Sequence, residues 1–113
     1  RAEAADGSKR VERGVYVTVH VNSKKIQYVG RSGSSISDRF TTDHIPNGRF
    51  YPGIERAERF GIRNEQRRDN VEARLIKMLD PARNKRQESV NGGVSERVGS
   101  WLDARQIAKK VRQ

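Results

Sequence analysis

Four residues of the chain carry side chains suited to the hydrolysis of a phosphate ester. A phenol can position or deprotonate water, a guanidinium can hold a phosphate, and a carboxylate can bind a hard divalent cation. One metal ion together with these groups would suffice to cleave a phosphodiester bond. The residues are two tyrosines, one arginine and one glutamate, Tyr16, Tyr28, Arg39 and Glu72, and they are followed in the chain by Asn84.

The chain carries a large excess of positive charge. Its 113 residues include 24 Lys and Arg but only 14 Asp and Glu, a formal net charge of +10. This charge predicts nucleic acid as a partner, because cations that neutralise phosphates release condensed counterions. A solubility charge or contact with anionic lipid is the alternative. No apolar run approaches the ~20 residues of a membrane span, and no signal-peptide core is present.

The first tyrosine lies on a predicted strand. Valines at every second position of residues 15–21 alternate with polar or aromatic residues, which is the pattern of a half-buried strand. The valines must face the core, so Tyr16 points to the other face and is available for chemistry. A turn at 22–25 then leads into a second strand that carries Tyr28.

The two tyrosines can serve one site only if they share a face of this hairpin. Opposed residues share a face, so the numbers of each opposed pair must add to an even total. This requires an odd-length loop or a bulge. A two-residue turn at Ser23 and Lys24 would instead put Tyr16 and Tyr28 on opposite faces.

The other candidate residues are predicted on helices. A Gly/Ser loop at 31–35 precedes a short helix with Arg39 and His44. A later helix over residues 64–79 has apolar residues at helical spacing and ends at Asp80 and Pro81. Glu72 lies at the border of its apolar stripe. Its structural alternative is an exposed carboxylate paired with Arg68 or Lys77.

These elements predict an α+β domain, in which a small, mostly antiparallel three-stranded sheet is flanked by helices. A third strand is predicted near Arg56 to Phe60, although the same residues also fit a short helix. We expect residues 1–12 to be a flexible lead-in and residues 13–113 to form the domain. Its last helix spans 95–111, with one side formed by Val98, Trp101, Ala104, Ala108 and Val111.

The tyrosine tripeptides resemble the two motifs of the GIY-YIG nucleases. Residues 14–16 read Gly-Val-Tyr and residues 28–30 read Tyr-Val-Gly, with valine in place of isoleucine. The segment 72–84 is especially similar to the nuclease domain of the bacterial excision-repair endonuclease. The resemblance covers about residues 13–86. The later motif residues of that family follow here in the same order: Arg39, Glu72, Pro81 and Asn84.

The resemblance implies a role for each candidate residue. Glu72 would bind Mg²⁺ or Mn²⁺, Tyr16 would act as general base, and Tyr28 would orient the water or the phosphate. Arg39 would hold the phosphate. Arg31 could do similar work, and a departure in the loop before Arg39 leaves open which arginine takes the main site.

Two histidines and one asparagine complete the set of candidates. His44 could protonate the leaving oxygen or contact phosphate, and His20 is its alternative on the strand of Tyr16. Asn84 is expected to hold the turn after the helix. The remaining basic clusters are expected to follow a nucleic-acid backbone: Arg67-Arg68, Arg83-Lys85-Arg86 and Lys109-Lys110-Arg112.

The resemblance implies a metal-dependent endonuclease, with DNA favoured over RNA. The chain begins at Arg1 rather than methionine, so we expect the C-terminal nuclease toxin domain of a secreted polymorphic toxin. Such a domain would be secreted or delivered into the cytoplasm of a target cell and would have an acidic immunity protein as partner. A fragment of a cytoplasmic repair or mobile-element nuclease, a non-catalytic nucleic-acid-binding module and a basic adaptor for an acidic protein are the alternatives.

Overall fold

A computed structural model of the protein describes residues 3–5, 13–33, 45–48, 50–84 and 88–112. Every strand pair in it is antiparallel, and the strand order is β1-β4-β2-β3. The predicted α+β class, with an antiparallel sheet and flanking helices, is confirmed. The strands are β1 (Glu3–Ala5), β2 (Gly14–His20), β3 (Ile26–Ser32) and β4 (Glu55–Gly61), and the helices within these ranges are α1 (Glu65–Leu79) and α2 (Val94–Val111).

The strand β1 corrects the prediction of a wholly flexible lead-in over residues 1–12. Glu3 to Ala5 pair with Arg59 to Gly61 of β4. They add a short fourth strand to the predicted three. The sequence carries no signal for it because an edge strand pairs through backbone groups and needs no alternating side chains.

The hairpin has the even register that a shared face of the two tyrosines requires. Tyr16 lies opposite Gly30, and Thr18 lies opposite Tyr28. Beyond them Val19 lies opposite Ile26, so Gln27 is left without an opposed residue and forms a bulge. The prediction of an odd loop or a bulge is therefore confirmed, and the structure uses the bulge.

The main core lies between the valine face of the sheet and both helices. Asn64 begins α1 by accepting a hydrogen bond on its side chain from the Arg67 amide, at 2.8 Å. Asp80 ends the helix in the left-handed conformation, directly before Pro81. The predicted strand face and α1 stripe are confirmed by the buried residues of this core, among them Val15, Val17, Val19, Val71, Leu75 and Leu79.

The opposite face of the sheet is also covered, which corrects the expectation that Tyr16 lies on an open polar face. Tyr16 is only 1% exposed and packs with Phe50, Tyr28 and Ala57 in a second, smaller cluster. The alternation of β2 predicted the direction of this side chain correctly. It could not predict that a residue far along the chain would return to cover it.

The inward side of α2 differs from the predicted one. Ala104, Ala108 and Val111 are buried as expected, whereas Val98 and Trp101 are exposed. The helix is rotated so that Ser100 and Asp103 face inward; they bond to Arg74 and Arg67 of α1. Polar contacts between the helices thus decide which side of α2 is covered. Within the described ranges, neither helix is long and apolar enough to cross a membrane.

Both glycines of the tyrosine tripeptides allow a close approach that a side chain would prevent. A Cβ atom on Gly14 would lie 2.0 Å from the Phe60 carbonyl oxygen of β4. A Cβ atom on Gly30 would lie 2.2 Å from the Tyr16 hydroxyl oxygen and 2.3 Å from its Cζ atom. Gly14 therefore lets β4 pair closely with β2, and Gly30 gives the Tyr16 ring its place.

We expect Gly30→Ala to lower the free energy of unfolding by roughly 1–3 kcal/mol, the usual cost of forcing atoms into a packed site. The buried Tyr16 ring would have to move. Gly53→Ala is the matched control, since a Cβ atom there meets nothing within 4 Å. Urea denaturation of both variants measures the difference. Equal stability of the two variants would contradict the close contact.

Candidate functional site

A cleft of about 1040 Å³ lies between α1, β3 and the chain that follows α1. One side of α1 faces it, because Glu65, Arg68, Asp69, Glu72 and Ile76 recur at helical spacing. Five of the predicted site residues line the cleft, and they come from β2, β3, α1 and the turn after α1: Tyr16, Tyr28, Arg31, Glu72 and Asn84. Arg39 and His44 lie outside the described residues.

The two tyrosines form one wall of the cleft. Their ring centroids are 6.2 Å apart, and the ring planes are inclined at 33°. Tyr16 is the more buried of the two, and Tyr28 is half-buried. The bulge at Gln27 produces this arrangement, since without it one ring would turn to the valine face.

Arg31 binds three carboxylates on the other side of the cleft. Its Nε atom lies 2.9 Å from an oxygen of Asp69. Its Nη1 atom lies 2.8 Å from an oxygen of Glu88 and also contacts Oε1 of Glu72. Arg31 is thus held by carboxylates of α1 and of the following loop, and its own charge is more than balanced.

Burial raises the pKa of Glu72 to about 7. The nearby Arg31 guanidinium opposes this shift, whereas the Glu88 carboxyl adds to it through a hydrogen bond and its charge. A carboxyl hydrogen-bonded to another carboxyl holds a proton between them. Near neutral pH Glu72 therefore gains or loses a proton readily.

The carboxylates suit a hard divalent ion that takes one or two protein ligands, rather than an ion surrounded by protein ligands alone. No group of three or more His, Cys, Asp or Glu side chains among the described residues is arranged to hold a metal. Mg²⁺ needs no such group, because it commonly takes one or two carboxylates and otherwise keeps water and phosphate oxygens. Glu72 is buried in a cluster that already attracts the Arg31 cation. This chemistry suits Mg²⁺ or Mn²⁺.

Arg68 is a second cation in the cleft; the sequence placed it in a basic cluster expected to follow a nucleic-acid backbone, and not among the site residues. It is only 7% exposed, and its Nη1 atom donates to the Ile62 and Arg63 carbonyl oxygens, both at 3.2 Å. Its Nη2 atom borders the cleft beside Gly33. None of the carboxylates in the described ranges forms an ion pair with it. Its charge is therefore held by backbone carbonyls and remains available to an anion.

Two other predicted cations are taken up by structural ion pairs. Arg67 bonds Glu96 at 3.0 Å and Asp103 at 2.9 Å, so it joins α1 to α2 rather than facing a nucleic acid. Arg83 binds both oxygens of the buried Glu55, at 2.6 and 2.8 Å. That bond is the main cause of the raised pKa of Arg83. The described members of the basic clusters are thus not interchangeable surface charges.

Asn84 and His20 make structural contacts, Asn84 to a distant strand and His20 within its own turn. The Asn84 side chain donates to the Val29 carbonyl at 2.9 Å and accepts from the Val29 amide at 2.8 Å. It thereby closes the free edge of β3 against the turn after α1. Nδ1 of His20 accepts from the Asn22 and Ser23 amides, both at 3.2 Å, and so stabilises the hairpin turn.

A signal for Arg68 and Asp69 was present in the sequence. They lie four and three residues before Glu72, so any helix that turns Glu72 to a cleft turns them there as well. Glu88 has no such signal. It follows α1 in irregular chain, and only the tertiary structure brings it to Arg31.

Comparisons with family models, with curated proteins and with solved structures found no match to this chain. The resemblance to the GIY-YIG nucleases therefore rests on the motif residues and their order. It stays a prediction.

We expect the contribution of Glu72 to the stability of the protein to fall as the pH rises from about 4.5 to about 7. Folding raises the pKa of Glu72 from 4.5 to about 7, so the folded chain binds more protons than the unfolded chain in this interval. Glu72→Gln should remove roughly 2–3 kcal/mol of that fall, at about 1.4 kcal/mol per pKa unit.

Thermal or urea denaturation at several pH values measures this slope. Glu65→Gln, at an exposed position of the same helix, is the control and should keep the wild-type slope. If stability changed with pH in the same way for wild type and Glu72→Gln, the raised pKa of Glu72 would be contradicted.

Proposed function

We propose that the cleft hydrolyses phosphodiester bonds of nucleic acid as a metal-dependent endonuclease. The observation that carries this proposal is the convergence of Tyr16, Tyr28, Glu72 and Arg68 on one cleft. The net charge of +10 supports a nucleic-acid substrate. The shared face of the two tyrosines supports it further, since the bulge at Gln27 brings both phenols to this cleft.

Tyr16 is the residue best placed to hold the attacking water. Its ring is fixed by Gly30 and Phe50, so the hydroxyl has little freedom. Arg59 lies opposite Tyr16 on β4, on the same face of the sheet. In the proposed step, Tyr16 takes the proton of the water as the water oxygen attacks phosphorus and the bond from phosphorus to the leaving oxygen breaks. Tyr28 orients the same water or the phosphate.

Glu72, together with Asp69 or Glu88, would hold the divalent ion. When bound, Mg²⁺ or Mn²⁺ supplies positive charge that stabilises the phosphate and the leaving oxygen. Arg31 has a positioning role in this site, since it holds all three carboxylates at the cleft.

Arg68 is the described residue that best fits the role of phosphate clamp. Arg31 is engaged by carboxylates, and Arg39 lies outside the described residues. The Arg68 guanidinium is fixed by two backbone carbonyls and borders the cleft. A planar guanidinium held in place can stabilise charge on the transition-state oxygens without first reorganising.

The biological setting is part of the same proposal. We infer DNA as the favoured substrate and a toxin domain that acts in the cytoplasm of a target cell, with an acidic immunity protein as partner. The resemblance and the basic charge support this setting. A non-catalytic nucleic-acid-binding module is the second candidate. The occupation of Glu72 by Arg31 favours it, because this contact competes with a metal ion.

Cleavage of DNA and of matched RNA, with and without Mg²⁺, tests the proposed activity. We expect Mg²⁺-dependent cleavage of DNA that falls by about 10²–10⁴-fold in Tyr16→Phe, the range lost with a general base. Glu72→Gln should reduce cleavage at least as much. Tyr51→Phe is the control, because Tyr51 is exposed and does not line the cleft. Binding without cleavage by the wild-type protein would instead support the non-catalytic module.

Arg68→Ala should reduce cleavage by about 10²-fold, the usual loss with one transition-state donor. Arg68→Lys keeps the positive charge and should retain part of the activity. The free energy of unfolding of this variant shows whether the buried position tolerates lysine. Arg63→Ala removes the same charge from an exposed position five residues earlier and is the control. Oligonucleotide binding is measured with Glu72→Gln added to every variant, so that the oligonucleotide is not cleaved. Binding should weaken in Arg68→Ala and not in Arg63→Ala. Equal losses of cleavage and binding in Arg68→Ala and Arg63→Ala would show that Arg68 does not belong to the site.

A further inference from the structure

The solvent-facing side of α2 carries large apolar residues that nothing in the described chain covers. Val94, Val98, Trp101 and Leu102 are 79%, 51%, 41% and 51% exposed. Their spacing puts them on one side of the helix, away from the buried Ala104, Ile107 and Val111. Exposed apolar residues that adjoin one another mark an interaction surface, whereas scattered ones do not.

The same side of the helix continues as a cationic surface. Arg105 and Lys109 follow the apolar residues at helical spacing, and the Arg105 guanidinium lies 5.3 Å from the centre of the Trp101 ring. We define the outer face of α2 by six residues: Val94, Val98, Trp101, Leu102, Arg105 and Lys109.

The cations of this outer face have no acidic counterpart on their own helix. Glu96 and Asp103 are the acidic residues of α2, and Arg67 of α1 binds both on the inward side. A groove of about 540 Å³ opens beside the cationic end, lined by Met78 and Ala108 as well as by Arg105, Lys109 and Arg112. The outer face thus combines apolar contact area with uncompensated positive charge.

We propose that the outer face of α2 is a docking surface for an acidic protein. The partner places apolar side chains on Trp101 and Leu102 and carboxylates opposite Arg105 and Lys109. Aromatic residues and arginine are enriched at the centres of such interfaces, and opposite charge gives specificity and speeds association. None of the outer-face residues lines the cleft, so this surface does not depend on the proposed nuclease activity.

The chemistry of the outer face disfavours two other occupants. A nucleic-acid backbone would satisfy Arg105 and Lys109 but would offer little apolar area to Val94, Val98 and Leu102. A second copy of the chain would present the same surface across a two-fold axis. Its cations would then lie near other cations or on apolar residues, without neutralisation.

Selection from a displayed library of random peptides against the wild-type chain tests the proposal. We expect the selected peptides to be acidic with aromatic or leucine anchors. Their binding should weaken by at least about tenfold (1.4 kcal/mol) in Leu102→Asp and in Lys109→Glu. Lys110→Glu is the matched control, because it makes the same charge change at an exposed position that helical geometry turns away from the outer face. It should retain binding.

Three results would overturn the proposal. Selected peptides that bind wild type and both outer-face variants equally would place the docking site elsewhere. A loss of duplex DNA binding in Lys109→Glu and Leu102→Asp, without such peptides, would assign the face to nucleic acid. A wild-type dimer in sedimentation that Leu102→Asp dissociates would assign it to a second copy. Nuclease assays on Leu102→Asp separate the outer face from the cleft, since Leu102 does not line the cleft and cleavage should be unchanged in this variant.

Discussion

The placement of the Tyr16 ring over Gly30 is the contact on which the rest of the site depends. It requires Tyr16 and Gly30 to be opposed, which sets the register of the hairpin. The bulge at Gln27 then brings Tyr28 to the same face. A side chain at position 30 would displace a ring that is almost fully buried. A single small residue therefore links the packing of the second cluster to the geometry of the cleft.

Opposite charges are distributed unevenly over this basic chain. Its described carboxylates are concentrated around a few arginines: three meet Arg31, two meet Arg67, and the buried Glu55 meets Arg83. These pairs join the elements to one another, and their partial burial makes them more than exposed surface pairs. Arg68 at the cleft and Arg105 on α2 form no ion pair with a described carboxylate, so their charges remain for a ligand.

The two surfaces of interest lie on different elements and have different chemistry. The cleft is polar and combines phenols, carboxylates and guanidinium groups between α1 and β3. The outer face of α2 combines apolar side chains with cations. Under the two proposals, the polyanionic substrate and the protein partner bind to separate surfaces of the chain.

Sequence periodicity alone determined the local elements of this protein. Alternating valines specified β2 and its inward face, and spaced apolar residues with Asn64 and Pro81 specified α1, because these signals are read within a few neighbouring residues. The parity of the residue numbers required an odd-length loop or a bulge in the hairpin. It did not identify Gln27 as the bulged residue. The tertiary structure decided what depends on distant parts of the chain: the cover over Tyr16, the edge strand at residues 3–5, the meeting of Glu88 with Arg31, and the rotation of α2. Burial and ion pairing between remote segments set these features, and no local pattern encodes which segments will meet.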